Sequence, residues 1–231
     1  PSLGNYLVSM LVDVGKLQDA QMVFEKLDFP SEFACTALIS GCIRCGKPQH
    51  ALMLYEKMVG NAIIQPSGHT YVAVLKACAK LRNLEKGIEI HGTILREGRF
   101  DQNIFILNSL IDMYAKFGFL AETQQIFSQL VVRDVVGWTS LIAGFAEDHG
   151  VDALRFLEQM QQEAVSPDAI TYVFGLKACG DIRALVKGEE LHSRISREML
   201  FQNDIFVGST LLDMYMKCGC LVKAREVFEK L

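Results

Sequence analysis

The chain has 231 residues, a net charge of −4 and an apolar share of one half. Charged residues or glycine interrupt every apolar run before it reaches the length of a membrane-spanning helix, and no secretory signal opens the sequence. The acidic balance is unlike that of an ordinary polyanion binder, and seven cysteines without framework spacing fit a reducing compartment.

Internal repetition sets the organisation. Residues 70–130 align without a gap on 171–231 at an offset of 101, with 28 of 61 pairs identical. Residues 3–27 match 106–130 at an offset of 103, pairing Asn5 with Asn108, Gly15 with Gly118 and Phe24 with Phe127. Thr36–Met58 and Thr139–Met160 match each other in the same way. Three unit types therefore alternate, over 1–31, 32–67, 68–103, 104–134, 135–168, 169–204 and a shortened 205–231. An array of this kind places function on a surface built by stacking.

Each unit predicts two amphipathic helices. In the first two units, Gly15 and Gly46 supply the residue tolerant of positive φ between them. Pro66 falls just before the third unit and Pro167 before the sixth, where each ends a helix. In 104–134, Phe105, Leu107, Leu110, Ile111 and Tyr114 keep helical spacing, Gly118 breaks it, and Leu120, Ile126, Phe127 and Leu130 resume it. Gly219 repeats the break in the last unit, and no stretch alternates with period two long enough to form a strand. The expected fold is an all-α solenoid of seven helix-turn-helix hairpins. Pro1 opens partway through a unit and Leu231 closes before the seventh finishes, so the sequence reads as part of a longer array whose uncapped ends can self-associate.

No catalytic constellation emerges from the residues. There is no H-x-E paired with C-x-x-C, no G-x-S-x-G and no phosphate-cradling G-x-x-x-x-G-K. Cys78 and Cys179 occupy one position of two equivalent units and read as small buried hydrophobes. Cys42 and Cys45 lack a second pair, so neither metal nor cofactor is expected. His91 and His192 are also equivalent and read as packing residues, while Asp112 and Asp213 read as solvated or hairpin-stabilising.

The unit lengths, with LIDMYAKFG, VLKACAKLRNLEKG, GWTSLIAGFAEDHGVDAL and VSPDAITY, resemble the pentatricopeptide repeat family of organellar RNA-binding proteins. The alternation resembles its plant PLS subclass, in the order S-P-L-S-P-L-S. The W-x2-L-G-x2-Y signature and strict 34-residue period of tetratricopeptide repeats are missing. The resemblance implies a right-handed superhelix that binds single-stranded RNA, one base per unit. It also implies location in a mitochondrion or chloroplast, and a role in directing C-to-U editing or other processing, with editing cofactor proteins as further partners. The deaminase-like domain of that subclass is not in this sequence, so no enzyme activity is expected of it.

By the same resemblance, the fifth and final residues of each unit read the base. The pairs are Asn5 with Ser31, Thr36 with Ser67, Val72 with Asn103, Asn108 with Asp134, Thr139 with Asp168, and Val173 with Asp204, followed by Ser209 alone. Amides, hydroxyls and carboxylates can present a donor–acceptor pattern to an unstacked base; Val72 and Val173 cannot. The family's code then implies the site 5′-Y-R-N-U-G-N-R-3′. Second-position residues Phe33, His69, Phe105, Val136, Ile170 and Phe206 are expected to pack on base faces, and Ser2 departs from the pattern. Arg44, Lys80, Lys116 and Lys217 recur at position 13 as a cationic stripe for phosphates, interrupted by Asp13, Glu147 and Asp181. The alternative is a tetratricopeptide-like scaffold binding a peptide or partner helix.

Overall fold

The computed structural model describes residues 3–60, 64–198 and 204–230, and Ser2 lies outside them. Among these residues the chain is entirely helical, with fourteen helices. They form two compact bodies, residues 1–113 and 114–231.

In the first body α1 (Leu3–Asp13) packs on α2 (Leu17–Glu25) and on α3 (Glu32–Arg44). Helix α3 packs on α4 (Pro48–Gly60) and α5 (Gly68–Leu81), and α5 on α6 (Leu84–Glu97). Helix α7 (Ile104–Lys116) carries the boundary between the bodies. In the second body α8 (Leu120–Ser128) packs on α9 (Val135–Ala146), which also meets α10 (Gly150–Gln162) and α11 (Ala169–Asp181). Helix α11 packs on α12 (Leu185–Arg197) and α13 (Ile205–Lys217), and α13 on α14 (Leu221–Phe228). Helices α1, α3, α9 and α11 thus each touch their own partner and the first helix of the next pair.

The hairpin turns are left-handed where the sequence offers glycine: Gly15, Gly46, Gly118 and Gly219 have φ of 79°, 70°, 75° and 75°. The residue after each glycine donates its N–H to the carbonyl five residues back, as Lys16 does to Leu11 at 2.8 Å and Cys220 to Tyr215 at 2.9 Å. At the equivalent turns of units 68–103 and 169–204 the left-handed residue is an arginine, Arg82 or Arg183, with φ of 52° and 55°. The bond from the next residue persists there, Asn83 to Cys78 at 3.0 Å and Ala184 to Cys179 at 2.8 Å, so the cap holds the strained backbone in place.

The prolines sit differently from expectation. Helices α4 and α10 end at Gly60 and Gln162, before Pro66 and Pro167. Each proline instead precedes the N-cap of the next helix, where the missing N–H costs nothing and the fixed φ presets an extended entry. Pro66 keeps its carbonyl in use, accepting from Arg99 at 2.9 Å.

The core is built from repeated devices. Cys78 and Cys179 are fully buried, and burial pushes their thiols up to about 11 and about 12, so both stay protonated. Tyr71 and Tyr172, also buried, donate to Glu97 at 2.6 Å and Glu198 at 2.9 Å, tying the start of the first helix to the end of the second. His192 Nδ1 lies 2.8 Å from the Tyr215 hydroxyl, a packing role, and burial lowers its pKa.

Close approach of α9 to Ala115 depends on a glycine. A Cβ at Gly144 would stand 2.7 Å from Ala115 Cβ and 3.2 Å from its Cα, and neither atom can swing away. We expect Gly144→Ala to destabilise the fold by about 1–3 kcal/mol through overpacking. Gly92→Ala, which meets nothing within 4 Å on helix α6, should stabilise it by roughly 0.5–1 kcal/mol. Thermal melts followed by circular dichroism should move in opposite directions for the two variants.

Candidate nucleic-acid interface

The final residue of each unit starts the next helix. Each first helix begins with N–H groups that have no intrahelical partner, and a short polar side chain just before the helix can accept from one of them. Ser31 accepts from Ala34 at 3.2 Å, Ser67 from Thr70 at 3.3 Å, and Asp134 from Gly137 at 2.9 Å. Asp168 accepts from Thr171 at 2.8 Å and Asp204 from Phe206 at 2.8 Å. Asn103 Oδ1 takes the N–H groups of Phe105 and Ile106 at 3.1 and 3.2 Å. All six candidate readers at this position are therefore helix caps as well.

Asn5, Thr36 and Thr139, fifth residues of their units, each come to the cap of the next helix, by one of two routes. Asn5 reaches it directly: its Oδ1 accepts from the Ser31 N–H at 2.8 Å and its Nδ2 donates to the Phe29 carbonyl at 3.3 Å. Asn5 is consequently buried, and so is the equivalent Asn108. The shorter Thr36 and Thr139 reach the cap through a second threonine. Thr36 Oγ1 lies 2.6 Å from Thr70 Oγ1, which is 3.1 Å from Ser67 Oγ. Thr139 Oγ1 lies 2.6 Å from Thr171 Oγ1, whose hydroxyl donates to Asp168 at 2.7 Å. The pairs Asn5/Ser31, Thr36/Ser67 and Thr139/Asp168 are thus each brought together. Val72 and Val173 are half-buried and contribute no polar group; Ser209 is exposed and donates to the Ile205 carbonyl at 2.8 Å.

Sequence reasoning missed Thr70 and Thr171. The signal was present, since both open the repeated Thr-Tyr dipeptide at the offset of 101. It was unreadable without knowing that the third residue of one helix faces the fifth residue of its neighbour.

Second-position side chains stand beside these caps and point outward. Phe33, Phe105, Val136, Ile170 and Phe206 are 54 to 75 % exposed, and His69 is exposed too. Helical spacing alone would assign Phe105 and Phe206 to the core; their exposure decides otherwise.

The position-13 residues lie at or near the ends of the first helices, where the helix dipole favours cations whatever else they do. Arg44 donates to the Val12 carbonyl of the neighbouring helix and Lys80 to that of Ile43, both at 3.3 Å. The acids that interrupt the stripe neutralise cations of the following unit. Asp13 lies 3.5 Å from Arg44, Glu147 2.7 Å from Lys177, and Asp181 2.8 Å from Lys217. Lys217 also meets Asp213 at 2.9 Å, and its pKa is raised, first by the bond to Asp181 and then by that to Asp213. Lys116 is exposed at the end of α7. Among the described residues no cluster of His, Cys, Asp or Glu could hold a metal ion.

Family models match most of the chain: the PPR repeat family over residues 30–80, the pentatricopeptide repeat domain over 128–182, and the PPR repeat over 69–99, 105–135 and 209–231. The chain belongs to the pentatricopeptide repeat family. Among its relatives in Arabidopsis thaliana, a chloroplastic pentatricopeptide repeat-containing protein is 31% identical over 98% of this chain and 36% of its own length. A mitochondrial one is 32% identical over 96% of this chain and 32% of its own length. The chain thus spans about a third of these relatives. The crystal structure of the pentatricopeptide repeat protein PPR10 with an 18-nt psaJ RNA element has the same fold, with a TM-score of 0.77 at 19% identity, over 98% of this chain and 34% of that one.

The cap role of the final residue of a unit has a measurable consequence. Asp168→Ala leaves the first turn of α11 uncapped and should cost about 0.5–2 kcal/mol, whereas Asp168→Ser should be nearly neutral. Urea unfolding of the two variants beside the parent measures the difference.

Proposed function

We propose that the chain is a sequence-selective single-stranded RNA-binding array of seven pentatricopeptide units in PLS order, each facing one base. The observation that carries this reading is the joining of fifth and final residues at the helix starts, next to exposed apolar or planar side chains. A base stacked on Phe33, Phe105 or Phe206 gains ~1–3 kcal/mol, and its edge would then meet the paired polar groups. The PPR10 complex with RNA supports the same use of the fold. The proposed site is 5′-Y-R-N-U-G-N-R-3′, with Asn108/Asp134 reading U, Thr139/Asp168 reading G, and the valine-bearing L units discriminating little. The chain locates a site for C-to-U editing or other processing of an organellar transcript and carries out no chemistry itself. Chloroplastic and mitochondrial relatives support an organellar setting without choosing between the two.

Fluorescence anisotropy with heptanucleotide RNAs tests this reading. RNA carrying the U-G core should bind more tightly than a scrambled control at two salt concentrations, and Thr139→Asn should shift the fifth base toward a pyrimidine. Equal binding that vanishes with salt would reduce the protein to a weak polyanion surface. No binding by a folded, monomeric chain would favour the protein scaffold.

The paired charges give a second test. Asp13→Asn removes the carboxylate beside Arg44, so binding at low salt should tighten. If Arg44 then takes a phosphate, the slope of log affinity against log salt should steepen by about 0.7. An unchanged slope would remove Arg44 from the phosphate contacts.

A further inference from the structure

Thr70 and Thr171 are the third residues of α5 and α11, and both are completely buried. Neither can touch a base, yet each bonds to both members of a reading pair. The hydrogens around Thr171 can be counted. A carboxylate only accepts, and each hydroxyl has one hydrogen and two lone pairs. Asp168 Oδ1 takes the Thr171 N–H at 2.8 Å and the Thr171 hydroxyl at 2.7 Å. With its own hydrogen committed there, Thr171 Oγ1 can only accept in the 2.6 Å contact with Thr139. It also accepts from the Asp168 N–H at 3.3 Å, which fills its second lone pair. Thr139 is therefore the donor to Thr171, and it faces outward with lone pairs only. Asp168, which is exposed, offers its remaining oxygen, Oδ2.

We propose that Thr171 is a positioning residue that fixes the hydrogen-bond polarity of the Thr139/Asp168 pair as two acceptors. This rests on the RNA-reading function proposed above. Two acceptors match the N1–H and N2–H₂ donors on the Watson–Crick edge of guanine. Adenine sets its N1 lone pair against them and is rejected, because an acceptor facing an acceptor leaves both unsatisfied.

The count at Thr70 comes out differently. Glu32 Oε1 lies 2.8 Å from Thr36 Oγ1 and 3.2 Å from Thr70 Oγ1, and the two threonine oxygens are 2.6 Å apart. Whichever way that chain runs, ending on the carboxylate, both threonine hydrogens stay inside it. Thr36 thus also faces outward as an acceptor. Its partner is a serine, which accepts from the Thr70 N–H at 3.3 Å. When Thr36 donates to Thr70, that bond and the Ser67 N–H at 3.1 Å fill both Thr70 lone pairs, so the Ser67 hydroxyl, also 3.1 Å from Thr70 Oγ1, keeps its hydrogen for a ligand. An acceptor beside a donor matches N6–H₂ and N1 of adenine. The two threonine-linked units therefore read different purines, adenine at the second base and guanine at the fifth.

Anisotropy titrations with heptanucleotides carrying G or A at the second and fifth bases test this. The parent chain should prefer A at the second base and G at the fifth. Thr171→Val should cut the G-over-A ratio at the fifth base by about tenfold, the scale of one lost charge-assisted hydrogen bond, and leave the second-base ratio unchanged. Thr171→Ser should restore it, and Thr70→Val should act only at the second base. Circular dichroism establishes that each variant is folded, with Thr171→Ala replacing a valine variant that is not. If Thr171→Val weakens G and A RNAs by the same factor, the residue is only part of a capping box and the proposal falls. A parent chain that selects the U-G core over the scrambled RNA without separating G from A at the fifth base sinks the polarity assignment while RNA reading stands. Failure to bind any of the RNAs overturns both.

Discussion

The unsatisfied N–H groups at the start of each first helix are the constraint on which the rest of this molecule depends. Ser, Thr, Asp and Asn are the side chains that cap such groups well, each by about 1 kcal/mol. They are also the small side chains that can offer a base a defined donor or acceptor. On the proposed reading the final residue of a pentatricopeptide unit must meet both demands, and Ser31, Ser67, Asn103, Asp134, Asp168 and Asp204 meet the first. Capping fixes the side chain before any ligand arrives, so little rotamer entropy remains to be lost on binding. The two demands also couple, because a substitution that changes the base pattern disturbs the helix start as well.

Charge follows a similar logic of double use. A net charge of −4 would repel a polyanion if the acids lay anywhere on the surface. Asp13, Glu147 and Asp181 instead pair with cations of the following unit. Exposed pairs of this kind stabilise a fold by only about 0–1 kcal/mol. A phosphate can therefore exchange with the carboxylate at little cost, whereas a fully desolvated pair would resist exchange. On the proposed reading, such bridges keep the cations extended and ready while limiting sequence-independent attraction.

Much of this architecture was legible in the residues because it is local or repeated. The turns at Gly15, Gly46, Gly118 and Gly219 depend on one residue's freedom at positive φ. The burial of Cys78 and Cys179 follows from apolar spacing within single helices. Arg82 and Arg183 were not legible as left-handed, since arginine has no such preference and only the surrounding cap imposes it. The reading pairs were proposed from family position alone. Their chemistry, Thr36 to Thr70 and Thr139 to Thr171, crosses 34 and 32 residues and depends on how neighbouring helices pack. Spacing along one helix carries no information about that contact. The outward exposure of Phe105 and Phe206 was hidden for the same reason, because an apolar residue two positions into a helix looks like core until the packing direction is known.

The units with valine at the fifth position show what remains when that contact is absent. Val72 and Val173 give Asn103 and Asp204 no polar partner at the fifth position, so in these units the cap stands alone. The same two units hold the Tyr71–Glu97 and Tyr172–Glu198 bonds and make their turns with arginine instead of glycine. Their repeated features thus serve the joining of helices within the unit, while the threonine and asparagine contacts of the other units serve the junction at the surface. On the proposed reading, an array that alternates the two keeps bases in register through its bracing units and concentrates discrimination in the rest. On the same reading, that division lets a run of similar hairpins read some bases sharply and pass over others, since a valine at the fifth position changes neither the helix nor its cap but removes the hydrogen-bond pattern.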